Sequence, residues 1–226
     1  MIHMAMLSRI LKRETFVISI LIGGAVWAAI GLCDYFDERA EERRMAEYPL
    51  EVMRHEAELS YSQYKGQLVG EVKEYIRKVA PTSGLNAYAV VTCCERYDLD
   101  IVFVLAQGEL ESHFGTRGMA VKTNSVFNVG AYDDRTYETI DGKFKYRHPD
   151  HSIEPYMRLL YTDYITSTKT ELDLMAKFVS KNGKRYSSNP SYENELFELY
   201  RKINKSTCIR ELQGEMRRYR IISGKM

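Results

Sequence analysis

The stretch LAQGELESHFGTRGMAVKTNSVFNVG, residues 105–130, sets two carboxylates, Glu109 and Glu111, at the end of the apolar run IVFVLA. A carboxyl group at the end of a buried helix loses solvation, and its pKa rises. A general acid working near neutral pH needs that shift. Residues two apart on a helix point about 200° apart, so only one of the pair can face a given cleft. The following SHFGTRG supplies glycines for a sharp exit from the helix, and TNSVFNVG offers amide groups to a polar ligand. A structural carboxylate paired with Arg or Lys explains the same pattern equally well. His113 reads as a surface residue at a helix end. No HxxxH spacing points to a metal, and no cofactor is implied.

The elements that must position these groups are mostly helical. QLVGEVKEYIRKVAP is amphipathic through Leu68, Val72, Tyr75, Ile76 and Val79, and Pro81 stops it. NAYAVVTCCERYDLD forms a second helix. Asp100 caps a third, from Ile101 to about His113, apolar on every side through Ala106 and therefore central to a core. Between RTYETI and KFKYR lies Asp141-Gly142, a strong short hairpin signal. Helices resume at Ser152 and from about Thr170 to Ser180, the latter ended by Asn182-Gly183. Asn189-Pro190 reads as a cap followed by proline at the first helical position, opening a helix with Tyr192, Leu196, Leu199 and Ile203 on one face. A last helix spans about Thr207 to Tyr219. The fold class is mostly α (α+β), with one small hairpin inserted near the middle.

The N-terminus carries a separate signal. Arg9, Lys12 and Arg13 precede an uncharged run of 18 residues, Phe16 to Cys33, and an acidic stretch follows. That length just spans a hydrocarbon core, and the basic flank orients the N-terminus inward. The expected layout is a cytoplasmic N-terminus (1–15), a transmembrane signal anchor (16–33), a charged stalk (34–64) and a catalytic domain (65–226) on the periplasmic or wall side. A cleaved signal peptide and a buried soluble helix are the alternatives. A net charge of +1 gives no reason to expect a nucleic-acid partner. The four cysteines show no CxxC spacing; they read as buried hydrophobes, with a bridge from Cys93 or Cys94 to Cys208 as the one pairing to consider.

LAQGELESHFGTRG resembles the AQ-x-x-LES signature of the glucosaminidase family of peptidoglycan hydrolases, glycoside hydrolase family seventy-three. NSVFNVGAYDD is similar to that family's asparagine–aromatic–glycine turn, and RYSSNPSYENEL to its closing tyrosine motif. The resemblance implies a lysozyme-like fold, a helical lobe and a small β-lobe around a sugar cleft, and peptidoglycan glycan strands as partner. It places the catalytic acid on Glu111 and the second acid on Glu138, with Asp133 and Asp134 as rivals. Glu109 falls where the family does no chemistry and is expected to be solvated or paired. The resemblance also assigns Phe127 to support or line the cleft, and puts Asn128 in the turn beside it. Tyr132 is expected to stack on a sugar. Tyr186 and Tyr192 match the tyrosines of the last motif, where one faces the reacting sugar and ordinary helix packing is the alternative; both, with Asn128, are expected substrate contacts. Two positions depart from the pattern: the glycine after the aromatic is Asn128, and the lysine is Gly130. Three readings stay open beside an N-acetylglucosaminidase: a muramidase or lytic transglycosylase, a phage lysis enzyme, and a non-catalytic wall-binding scaffold.

Overall fold

Helix α3 (Ile101–Ser112) organises the chain because every residue from Ile101 to Glu109 is buried. Such a helix has no solvent to satisfy its ends, so side chains must do it. Asp100 caps the start, its carboxylate accepting from the Val102 and Phe103 amides, and Tyr200 holds the other carboxylate oxygen at 2.8 Å. The Ile101 amide donates to Gln213 Oε1 at 3.0 Å, and Gln213 Nε2 donates back to the Leu99 carbonyl at 2.7 Å.

The computed structural model describes residues 37, 39–41, 43–44, 48–129, 138–166 and 169–225. The expectations for residues 1–33, Tyr132, Asp133 and Asp134 fall outside these. No helix among the described residues is long and apolar enough to cross a membrane. Two compact units are present, Met1–Glu56 and Ala57–Met226. Described residues of the first are helical.

In the second unit, α1 (57–79) buries Leu68, Val72, Tyr75 and Ile76. Tyr61 and Tyr64, read from the sequence as stalk, pack against the core. Then follow α2 (Ala87–Tyr97), α3, the short α4 (Ala120–Thr123), and a hairpin of β1 (Thr139–Ile140) and β2 (Lys143–Phe144). After the hairpin come a 3-10 turn, α5 (Ile153–Leu159) continued by a π-type turn to Tyr164, α6 (Glu171–Ala176), α7 (Tyr192–Ser206) and α8 (Ile209–Ile222). α7 lies along α3 and presents Tyr192, Leu196, Tyr200 and Ile203 to the core. Mostly helical, with one two-stranded sheet among the described residues, this is the expected class.

The hairpin is antiparallel, pairing Thr139 with Phe144 and Ile140 with Lys143. Asp141 (φ 48°) and Gly142 (φ 72°) both lie in the left-handed region, as a tight hairpin turn requires. Elsewhere the expected boundaries move. α6 ends at Ala176 rather than near Ser180, because Phe178 turns into a cluster with Tyr164, Tyr186 and Tyr192. Asn182-Gly183 is therefore not a helix end. It tips a second narrow turn closed by a bridge between Val179 and Arg185, the other structure such a pair favours. Pro190 precedes α7 instead of opening it, since Asn189 Oδ1 accepts from the Ser191 amide and spends two residues in a turn. Cys93, Cys94 and Cys208 are free, so the bridge considered from the sequence is not formed.

One glycine is fixed by packing. A Cβ on Gly108 would sit 3.2 Å from the Phe114 ring and 3.3 Å from that of Phe127. Gly108→Ala would gain up to about 1 kcal/mol of helix propensity and lose about 1–3 kcal/mol to overpacking. The expected outcome is a net loss of about 1–2 kcal/mol, read as a lower urea midpoint at unchanged slope.

Candidate active site

The last turn of α3 delivers its two acids to different places. Glu109 is 5 % exposed; it accepts a short hydrogen bond from the Tyr75 hydroxyl and pairs with Lys202 at 3.2 Å. Of the two states the resemblance implied for it, solvated or paired, Glu109 takes the second. Glu111 emerges on another side, into a cleft of about 1210 Å³.

The chain leaves α3 through three consecutive left-handed residues, His113, Phe114 and Gly115. The Phe114 amide returns to the Gly108 carbonyl at 3.0 Å, closing the helix end. Ser112 then ties the exit to the next turn: its hydroxyl donates to the Val126 carbonyl at 2.6 Å and accepts from the Gly115 amide at 2.8 Å. These bonds bring residues 123–129 under the helix end. Asn128 has φ 49°, a conformation in which asparagine is the common substitute for glycine. This accounts for the first departure from the family pattern.

Asn128 also uses its side chain. Nδ2 donates to the Glu111 carbonyl at 2.6 Å and lies 3.4 Å from Glu111 Oε2. The Tyr192 hydroxyl, from the start of α7, donates to Glu111 Oε1 at 2.6 Å. Lys143 on β2 donates to the Asn128 carbonyl at 2.8 Å. Burial raises the Glu111 pKa above the ordinary carboxylate value; the bonds from Tyr192 and Asn128 and the charge of Lys143 oppose that rise without cancelling it. Burial likewise holds the Tyr192 hydroxyl far above its usual pKa, helped by neighbouring Tyr186 and Glu111, so it is a neutral donor.

The remaining expected site residues divide. Tyr186 lines the cleft, stacked on Phe178 at 4.5 Å, and its hydroxyl donates to the Phe127 carbonyl at 3.1 Å. Phe127 supports the cleft and does not line it: it is 1 % exposed and stacked on Tyr156 at 3.8 Å. Glu138 is brought to the hairpin but not to the cleft lining; its carboxylate is largely exposed and pairs with Lys145 at 3.0 Å. Asp163 is the other acid lining the cleft among the described residues. Among those residues no three His, Cys, Asp or Glu side chains are grouped to hold a metal ion.

Sequence reading missed Lys143, Asp163 and Gln107. Gln107 is fully buried and bonded to Tyr192. Its signal was available: a polar residue inside a helix apolar on every side must find partners within the protein.

A helical body, a hairpin and a half-buried carboxylate at the head of a cleft come together here. Residues 87–205, more than half of the chain, match the glucosaminidase family model, described as mannosyl-glycoprotein endo-beta-N-acetylglucosaminidase, and the chain belongs to that family. It is a glycoside hydrolase, and its substrate is a glycan. No curated protein matches the chain.

The raised pKa means that the folded protein binds the Glu111 proton more tightly than the unfolded chain does. The resulting stabilisation is complete below the unfolded value of about 4.3 and is lost as pH rises through the folded one. Glu111→Gln removes that loss. The melting temperature of the variant relative to wild type should therefore increase between about pH 4 and pH 7, which calorimetry at the two values checks.

Proposed function

We propose that the protein hydrolyses the β-1,4 glycan backbone of peptidoglycan as an N-acetylglucosaminidase, with Glu111 as the general acid. The observation that carries this reading is a carboxyl group with a raised pKa, held by Tyr192 and Asn128 at the head of a cleft of about 1210 Å³. In this role the Glu111 proton passes to the glycosidic oxygen as the bond to the anomeric carbon breaks through an oxocarbenium-like state.

Attack on the anomeric carbon is assigned to the acetamido oxygen of the substrate itself, an established exception to the two-carboxylate scheme. It forms a cyclic intermediate that water opens, with Glu111 accepting the proton of that water. Glu138 is the weaker candidate: it is solvated, neutralised by Lys145 and absent from the cleft lining. The alternative, in which Glu138 activates water directly, inverts the anomeric centre, whereas substrate assistance retains it.

The charge of the cleft supports a carboxylate-bearing glycan. Lys143, Arg158, Lys181, Lys184 and Arg185 line it against the acids Glu111 and Asp163. Peptidoglycan carries carboxylates on its peptide stems, whereas chitin-like glycans carry none. Tyr186 is assigned to the reacting sugar, and residues 16–33 to a membrane anchor that leaves the enzyme on the outer side, on the strength of their uncharged run. Fractionation of cells making the full chain tests the anchor.

Digestion of purified peptidoglycan should yield new reducing N-acetylglucosamine ends by mass spectrometry. Glu111→Gln should lower kcat by about 10²–10⁴, and Glu138→Gln should keep most of the activity with retained anomeric configuration by NMR. Muramic acid or anhydro-muramic ends would change the bond assigned. Glycan binding without turnover by the folded wild type would leave a wall-binding scaffold.

A further inference from the structure

Three polar side chains lie in the core behind Glu111. Gln107 and Tyr156 have no exposed surface, and Tyr192 is 5 % exposed. They form a continuous chain. The Tyr156 hydroxyl donates to Gln107 Oε1, Gln107 Nε2 donates to the Tyr192 oxygen at 3.1 Å, and the Tyr192 hydroxyl donates to Glu111 Oε1 at 2.6 Å. Gln107 and Glu111 are four residues apart on α3, hence on one face.

The direction of this chain is set by chemistry. An ionised carboxylate only accepts, so Tyr192 spends its single proton on Glu111. The Tyr192 oxygen can then only accept, and Gln107 must turn its amino side toward it. That leaves the amide carbonyl for Tyr156, which must donate. Each partner is fixed by packing: Tyr156 stacks on Phe127 at 3.8 Å, and Tyr192 packs against Phe178 and Tyr186. Reversing one link would set two donors against each other in a buried place, a costly arrangement.

We propose that Gln107 and Tyr156 are positioning residues that lock Tyr192 as a one-way donor to Glu111 Oε1, so that the catalytic proton is carried on Oε2. The proposal rests on the assignment of Glu111 as the acid. Oε1 already faces the Tyr192 proton, whereas among the described residues Oε2 meets only the long Asn128 contact at 3.4 Å. A proton on Oε1 would confront that of Tyr192, and Tyr192 cannot turn away because Gln107 presents N–H to it. The relay thus selects which carboxyl oxygen delivers the proton and touches no substrate itself.

The test is a double-mutant cycle on the full chain, following kcat, KM and the pH dependence of kcat for wild type, Gln107→Met, Tyr192→Phe and the double variant. Gln107→Met should lower kcat about tenfold at unchanged KM and move the alkaline limb of kcat to higher pH, since Tyr192 no longer holds the carboxylate as firmly. In the Tyr192→Phe background the same substitution should change nothing further. Tyr156→Phe keeps the stacked ring and removes only the donor; it should reproduce the Gln107→Met limb shift in part, and it reads the relay if Gln107→Met fails to fold. Effects of Gln107→Met that add in full to those of Tyr192→Phe would overturn the proposal, as would a wild-type pH profile in Gln107→Met or Tyr156→Phe. Failure of the underlying assignment is seen separately, as activity surviving in Glu111→Gln.

Discussion

A helix with no exposed face can carry a functional charge only where it ends, and that constraint governs this protein. α3 is wrapped by its neighbours, and side chains from other helices close its first turn: Tyr200 from α7, Gln213 from α8, and Glu171, which accepts the Asp100 amide at 2.9 Å. Its last turn is closed by its own chain, through Phe114 and Ser112. The acids at that turn are where burial gives way to a cleft.

The two acids show how neighbours decide the fate of the same side chain two positions apart. Glu109 is given a cation and a phenol and becomes part of the scaffold. Glu111 is given a phenol and an amide, with Lys143 near enough to act on its charge but bonded to a backbone carbonyl. Neutral donors restrain a carboxylate without cancelling the cost of burying it, so its proton affinity stays high. The first arrangement ties its acid into the scaffold; the second leaves an acid facing the cleft.

What could be read in advance was local. The all-round apolarity of α3, its Asp100 cap and the Asp141-Gly142 turn are encoded over a few residues, and each forms as expected. The opposed directions of Glu109 and Glu111 follow from helical geometry alone. Asn182-Gly183 was misread because a helix end and a hairpin tip use the same residues, and the choice was made by Phe178, which left α6 for an aromatic cluster. The links from Tyr156 to Gln107 and from Tyr192 to Glu111 join residues 49 and 81 positions apart. No periodicity reports such a pairing; only the demand that buried Gln107 be satisfied hinted that partners existed. Asn128 shows the reverse case, a departure from the family turn that becomes intelligible once its backbone angle is known.

The bond from Lys143 to the Asn128 carbonyl couples the hairpin to the head of the cleft. The charge of Lys143 is one of the influences holding down the proton affinity of Glu111. A sugar chain that draws this ammonium toward its own carboxylates weakens that influence, and Glu111 then binds its proton more tightly. By thermodynamic reciprocity, protonation must strengthen the seating of that chain by the same factor. Occupancy of the cleft and charge on the acid are thus linked for any bound group that displaces this ammonium.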